Sequence, residues 1–161
     1  MSISQKDINN IVNCIKNQAL YFFKNDIKLE IIDIQDIQNN SFSGHFSSIE
    51  LIDNIKLIIN LNIEDQLFDK LFNEFFKDTI SDADRKELVD ALPDEIINII
   101  VGLSINSFPK QYRELVLGLP MKLNKNQIKK MFHIDNYKSC KITTEDGSLF
   151  CTVIYVKNIS N

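Results

Sequence analysis

The stretch DEIINIIVGL, residues 94–103, decides how this chain is read. It is aliphatic enough to be buried, yet it carries Glu95, Asn98 and Gly102. At about 100° per residue those three fall within about 60° of one another on a helix, and Ala91 and Asn106 fall on the same side. Ile96, Ile97, Ile100 and Leu103 lie largely on other faces. The pattern predicts a helix buried on those faces and presenting one polar stripe. Such a stripe can serve solubility alone. A carboxylate and an amide one turn apart also have a chemical use. The amide can donate and accept hydrogen bonds, and so orient a water without titrating, while the carboxylate can hold a partner's lysine. Gly102 and Ala91 keep the stripe low, so that another backbone can approach it.

The elements around this stretch set its context. Ser81 is placed as an N-cap, and a helical pattern runs from about residue 82 to 106. Pro93, which has no backbone N–H, predicts a kink or break inside it. Upstream, EDQLFDKLFNEFFK (64–77) has helical spacing with an acidic start. Before it, IKLEIIDI, NSFSGHFSS, IELID and IKLIINLNI (27–63) are dense in β-branched residues and predict three or four antiparallel strands in a hairpin or meander. Ile8, Ile11, Val12, Ile15, Ala19 and Phe22 mark an amphipathic helix over residues 4–24. Downstream, ELVLGLPMKL (114–123) reads as a strand in which Pro120 argues for an edge or an irregularity, followed by a short NQIKKMF helix. YKSCKIT and SLFCTVIYV form a last hairpin about Glu145-Asp146-Gly147. Helices and antiparallel strands in separate runs indicate an α+β fold, a single domain over residues 1–161 with an antiparallel sheet packed against long helices.

Composition narrows the function classes. The chain has 161 residues, 18 basic against 22 acidic, for a net charge of -4. Its Lys and Arg residues are scattered, which argues against nucleic acid as a partner. No basic, apolar leader opens the sequence and no run approaches the ~18 apolar residues of a membrane span, so a cytoplasmic protein without membrane insertion is expected. Cys14, Cys140 and Cys151 are odd in number and widely spaced, which predicts reduced and mostly buried thiols. With only His45 and His133, no histidine metal site is indicated, and nucleotide-binding glycine motifs are absent.

VDALPDEIINIIVGL (89–103) resembles the signature helix of the CheC/CheX/FliY chemotaxis phosphatases. In that helix an acidic or serine residue, three spacers, Glu, two spacers and Asn are followed by a small-residue segment. Here Glu95, Asn98 and Gly102 match. The SFSGHF strand, the KLIINLNIEDQLFDKLF passage and GLPMKL come in the CheX order, so the resemblance covers roughly residues 40–125. It implies a CheX-like phosphatase that hydrolyses the aspartyl phosphate of a phosphorylated CheY-like response regulator. By carry-over, Glu95 would hold the receiver's lysine and Asn98 would orient the attacking water, with Gly102 and Ala91 in the docking strip. No cofactor would be bound by this chain, because the Mg²⁺ would belong to the receiver. The single-site CheX type also implies a homodimer. The sequence departs from the pattern in two places. Ala91 stands at the leading acidic or serine position, with Asp90 beside it, and Pro93 interrupts the motif. These departures favour the alternative of a receiver-binding or flagellar-switch adaptor. Asp7-x-x-Asn10 repeats the acid-to-amide spacing near the N-terminus and reads as a decoy.

Overall fold

The computed structural model describes residues 3–38, 44–77, 80–132 and 137–156. Six strands form one antiparallel sheet: β1 (Ile31–Ile37), β2 (His45–Ile52), β3 (Lys56–Ile63), β4 (Val116–Leu117), β5 (Tyr137–Thr144) and β6 (Gly147–Val156). Their order across the sheet is β1-β5-β6-β3-β2-β4. The β2–β3 hairpin is as predicted, with SGHFSS and IELID merged in part into one strand. β1 is not a third strand of a local meander; it lies on the opposite edge against β5. Its residues are largely exposed, whereas β3 between β2 and β6 is buried almost throughout, so the strand with fewer buried positions occupies the margin.

Alternation sorts the sheet residues into faces. Leu57, Ile59, Leu61 and Ile63 of β3 join Ile49 and Leu51 of β2 and Leu149, Cys151 and Val153 of β6 in the main core. Two helices cover that face. The first, α1 (Gln5–Tyr21), packs on β5 and β6 and buries Ile8, Ile11, Val12, Ile15 and Ala19. A π-helical turn, Phe22–Ile27, brings Phe22 and Phe23 into the core and ends at Lys28, whose φ of 64° turns the chain toward β1. The second core helix, α3 (Asp82–Ser104), packs on β2, β3 and α1.

Between them in sequence, α2 (Asp65–Phe75) sits on the turn of the β5–β6 hairpin. Glu64 Oε2 accepts the Ser148 N–H at 2.9 Å, and a Cβ on Gly147 would stand 3.3 Å from Leu67. Gly147, at φ 127°, completes a two-residue hairpin turn at Glu145 and Asp146 that an L side chain would strain. A short helix, α4 (Lys125–Phe132), precedes β5.

Two stretches that carry a proline take definite form. Helix α3 runs unbroken through Pro93, whose ring is buried. The proline removes one backbone donor, at a usual cost of about 3 kcal/mol, and burial of Leu92, Ile96 and Ile97 around it anchors the helix there. The ELVLGLPMKL strand shrinks to Val116–Leu117 and one bridge between Met121 and Ser48. Gly118 still donates to the Glu50 carbonyl at 2.8 Å, but Pro120 has no donor to continue the ladder.

Candidate functional site

Ser81 caps α3 as its sequence predicts, its hydroxyl accepting the Asp84 N–H at 3.2 Å. Residues 81–87 of this helix are exposed, and burial begins in the turn before Pro93. From Leu92 onward Ile96, Ile97, Ile100 and Val101 are buried against the sheet and α1. This decides which side of the second half is buried and turns the predicted stripe outward: Ala91 and Glu95 are exposed, Asn98 and Gly102 half-buried. Among the described residues neither Glu95 nor Asn98 has a side-chain hydrogen bond or ion pair. Both are left available to a partner.

Leu103 departs from the reading that buried it with the isoleucines, since it is 53% exposed. It lies about 80° from Glu95 on the helix and only about 20° from buried Ile96, so its exposure does not follow from its angle. A shallow depression of ≈ 330 Å³ is lined by Asn98, Ile99, Gly102 and Leu103. Leu117 of β4 stands over Gly102, where an added Cβ would meet its Cδ2 at 3.7 Å. Val116 and Leu119, 66% and 85% exposed, flank Leu117 in the chain. The polar pair is therefore bordered by apolar surface that periodicity within α3 could not reveal, because part of it comes from the distant β4 segment.

Asp90 does not substitute for the missing acid at Ala91. Because the helix is unbroken, Asp90 is about 140° away from Glu95. It lines a separate depression of ≈ 470 Å³ with His45, Phe46, Val89, Pro93 and Lys122. Asp94, between the two, is tied inward: its Oδ1 accepts from Ser47 Oγ at 2.5 Å and from Lys122 Nζ at 2.9 Å. This tie went unread in the sequence, since it joins three segments whose proximity only the folded sheet creates.

The N-terminal repeat of the spacing is spent on structure. Asp7 lies in the first turn of α1, where its backbone N–H donates to Ser4 Oγ at 3.1 Å and its carboxylate accepts from Ser4 at 2.8 Å and from the Tyr112 hydroxyl at 3.2 Å. Burial and the neighbouring Asp7 charge raise the Tyr112 phenol above its ordinary value, which keeps it protonated as the donor.

The three cysteines are free thiols. Cys14 donates to the Ser107 carbonyl at 3.0 Å, and burial raises its pKa. Cys140 and Cys151 stand directly opposite each other in the β5–β6 ladder. The hydrogen bond to Cys140, together with burial, pushes the Cys151 thiol well up. Among the described residues no His, Cys, Asp and Glu side chains gather in a group able to hold a metal ion, and no helix is long and apolar enough to cross a membrane.

No family model matches the sequence, and no curated protein matches it. Solved structures do match its fold. CheX of Borrelia burgdorferi, in a complex with CheY, BeF3 and Mg²⁺, superposes with a TM-score of 0.69 at 14% identity, covering 91% of this chain and 98% of that one. A CheC-like superfamily protein from Shewanella sp. PV-4 gives 0.63 at 14% identity over 96% and 100% of the two chains. The FliM middle domain of Vibrio alginolyticus gives 0.52 at 14% identity over 92% and 93%. The chain has the CheC/CheX-like fold.

Proposed function

We propose that this protein is a phosphatase for a phosphorylated CheY-type receiver domain, acting in the cytoplasm in chemotaxis or related two-component signalling. The observation that carries the reading is the joint projection of Glu95 and Asn98 from the packed half of α3, unpartnered among the described residues, within a fold shared with a CheX that binds CheY.

The chemistry asked of such a site is small in parts. An aspartyl phosphate is hydrolysed when a water oxygen attacks phosphorus in line, the bond from phosphorus to the carboxylate oxygen breaks, and aspartate and inorganic phosphate result. The leaving carboxylate is a weak base and needs no strong acid. Catalysis then rests on placing the water and neutralising charge on the phosphoryl oxygens. The Asn98 amide oxygen would hold the water by accepting a hydrogen bond from it, without itself titrating. Glu95 would pair with the receiver's lysine and so fix the register in which Asn98 enters. Mg²⁺ would be bound by the receiver and would neutralise the phosphoryl charge there. No covalent intermediate on this chain is required. The apolar border formed by Ile99, Leu103 and Leu117 would exclude bulk water as the partner seats. We propose further that the chain acts as one domain and as a homodimer, which light scattering on the purified protein would check.

The second reading, a receiver-binding or flagellar-switch adaptor, is favoured by Ala91 in place of an acid or serine and by the likeness to the FliM middle domain. One experiment separates the two. A CheY-type receiver is phosphorylated with phosphoramidate in Mg²⁺, and its dephosphorylation is followed with and without saturating protein. The phosphatase reading expects faster decay, lost in Asn98→Ala. Binding to the receiver without any acceleration would select the adaptor.

A further inference from the structure

The carboxylate beside the stripe is anchored where the helix is weakest. Pro93 has no N–H, so the Val89 carbonyl lacks its donor one turn later, at the boundary between the exposed and buried halves of α3. The next residue, Asp94, accepts from Ser47 on β2 at 2.5 Å and from Lys122 at 2.9 Å, and the Lys122 ammonium also donates to the Phe46 carbonyl at 3.2 Å. Strand β2, helix α3 and the segment after β4 are thus joined at one carboxylate oxygen. Ser47 is fully buried, so its hydroxyl is a fixed donor.

Aliphatic packing holds a helix down but is non-directional, so burial of Ile96, Ile97 and Ile100 fixes the angle about the axis less sharply than a directional bond does. Charge-assisted hydrogen bonds are directional. Asp94 lies about 100° from Glu95 and about 40° from Asn98, so a rotation that swung the active pair would have to break its bonds. The side chains of Asp94 and Lys122 are 34% and 44% exposed. An ion pair so exposed contributes little to global stability, so its effect on geometry can be separated from unfolding.

We propose that Ser47, Asp94 and Lys122 form a positioning device that sets the rotation of α3 and so the angle at which Glu95 and Asn98 meet the receiver. The functional half of this proposal rests on the phosphatase reading; the structural half does not. Two measurements test them separately. In the phosphoreceiver decay assay, Asp94→Ala lowers the saturating rate by roughly ten- to a hundredfold while the half-saturating concentration stays within about twofold. Asp94→Asn, whose amide oxygen can still accept from Ser47 and Lys122, recovers most of that loss. In amide hydrogen exchange, Asp94→Ala speeds exchange over residues 95–102 by about tenfold, with the sheet unchanged. Unchanged exchange over 95–102 overturns the device, whatever the activity. A wild-type saturating rate in Asp94→Ala, beside an inactive Asn98→Ala, overturns its role at the site. If Asn98→Ala is itself as active as wild type, the site assignment falls and takes the functional half with it, while exchange still decides the structural half.

Discussion

Helices α1 and α3 lie against each other on the same face of the sheet, and each carries an acidic residue three positions before an asparagine. In α1 the acid, Asp7, falls in the first turn, where its carboxylate accepts from the hydroxyl of the cap serine and from that of Tyr112. In α3 the acid, Glu95, lies in the helix interior, where backbone groups are already paired, and it faces outward with no structural task among the described residues. The same spacing therefore means capping at a helix end and an available surface in a helix interior. What separates the two is position relative to the first turn.

This contrast can be broken or sharpened by substitution. The largest expected effect is on dephosphorylation: Asn98→Ala lowers the rate on the order of a hundredfold, as loss of a positioning contact does, whereas Asn10→Ala leaves it unchanged. Next is stability. Ile100→Ala, which opens a cavity beneath the site, costs about 2–5 kcal/mol in urea unfolding, while Asn98→Ala stays within about 0.5 kcal/mol of wild type. Equal destabilisation by both would mean that the stripe is structural after all. A smaller effect belongs to α1, where Ser4→Ala removes the cap and costs about 1 kcal/mol with no change in phosphatase rate. Smallest is Gly102→Ala. Its new Cβ meets only Leu117 at ordinary contact distance, so helix propensity should raise stability by up to about 1 kcal/mol. Gly102→Phe instead fills the depression beside Asn98 and abolishes binding to a BeF3-loaded receiver, measured by calorimetry.

Much of this architecture was legible because periodicity is local. The helical spacing over α1, α2 and α3, the Ser81 cap and the turn at Glu145 and Asp146 each depend on residues a few positions apart. The fold's non-local features were not so readable. Nothing in IIDIQDI says that β1 crosses to β5 instead of pairing with β2. That the helix continues without a break at Pro93 was not readable, because the packing of Leu92, Ile96 and Ile97 around it is tertiary. Leu103 was placed inward from its hydrophobicity, and its angle, about 20° from buried Ile96, gave no warning that it is exposed. One relation was available and missed: a two-residue turn at 145–146 pairs 144 with 147, and the same register sets Cys140 opposite Cys151. At the site, the stripe itself followed from a helical wheel, whereas the Asp94 tie and the Leu117 border needed the sheet to bring β2 and the β4 segment alongside.

The most direct test of the contrast between the two helices is a single-turnover decay of a phosphoramidate-phosphorylated CheY-type receiver in Mg²⁺, run alone and with wild type, Asn98→Ala or Asn10→Ala at saturation. Wild type and Asn10→Ala should accelerate decay equally, and Asn98→Ala should leave the receiver decaying as it does alone. An Asn98→Ala protein that keeps pace with wild type, or an Asn10→Ala protein that loses activity as fully, would contradict the assignment of the site to α3.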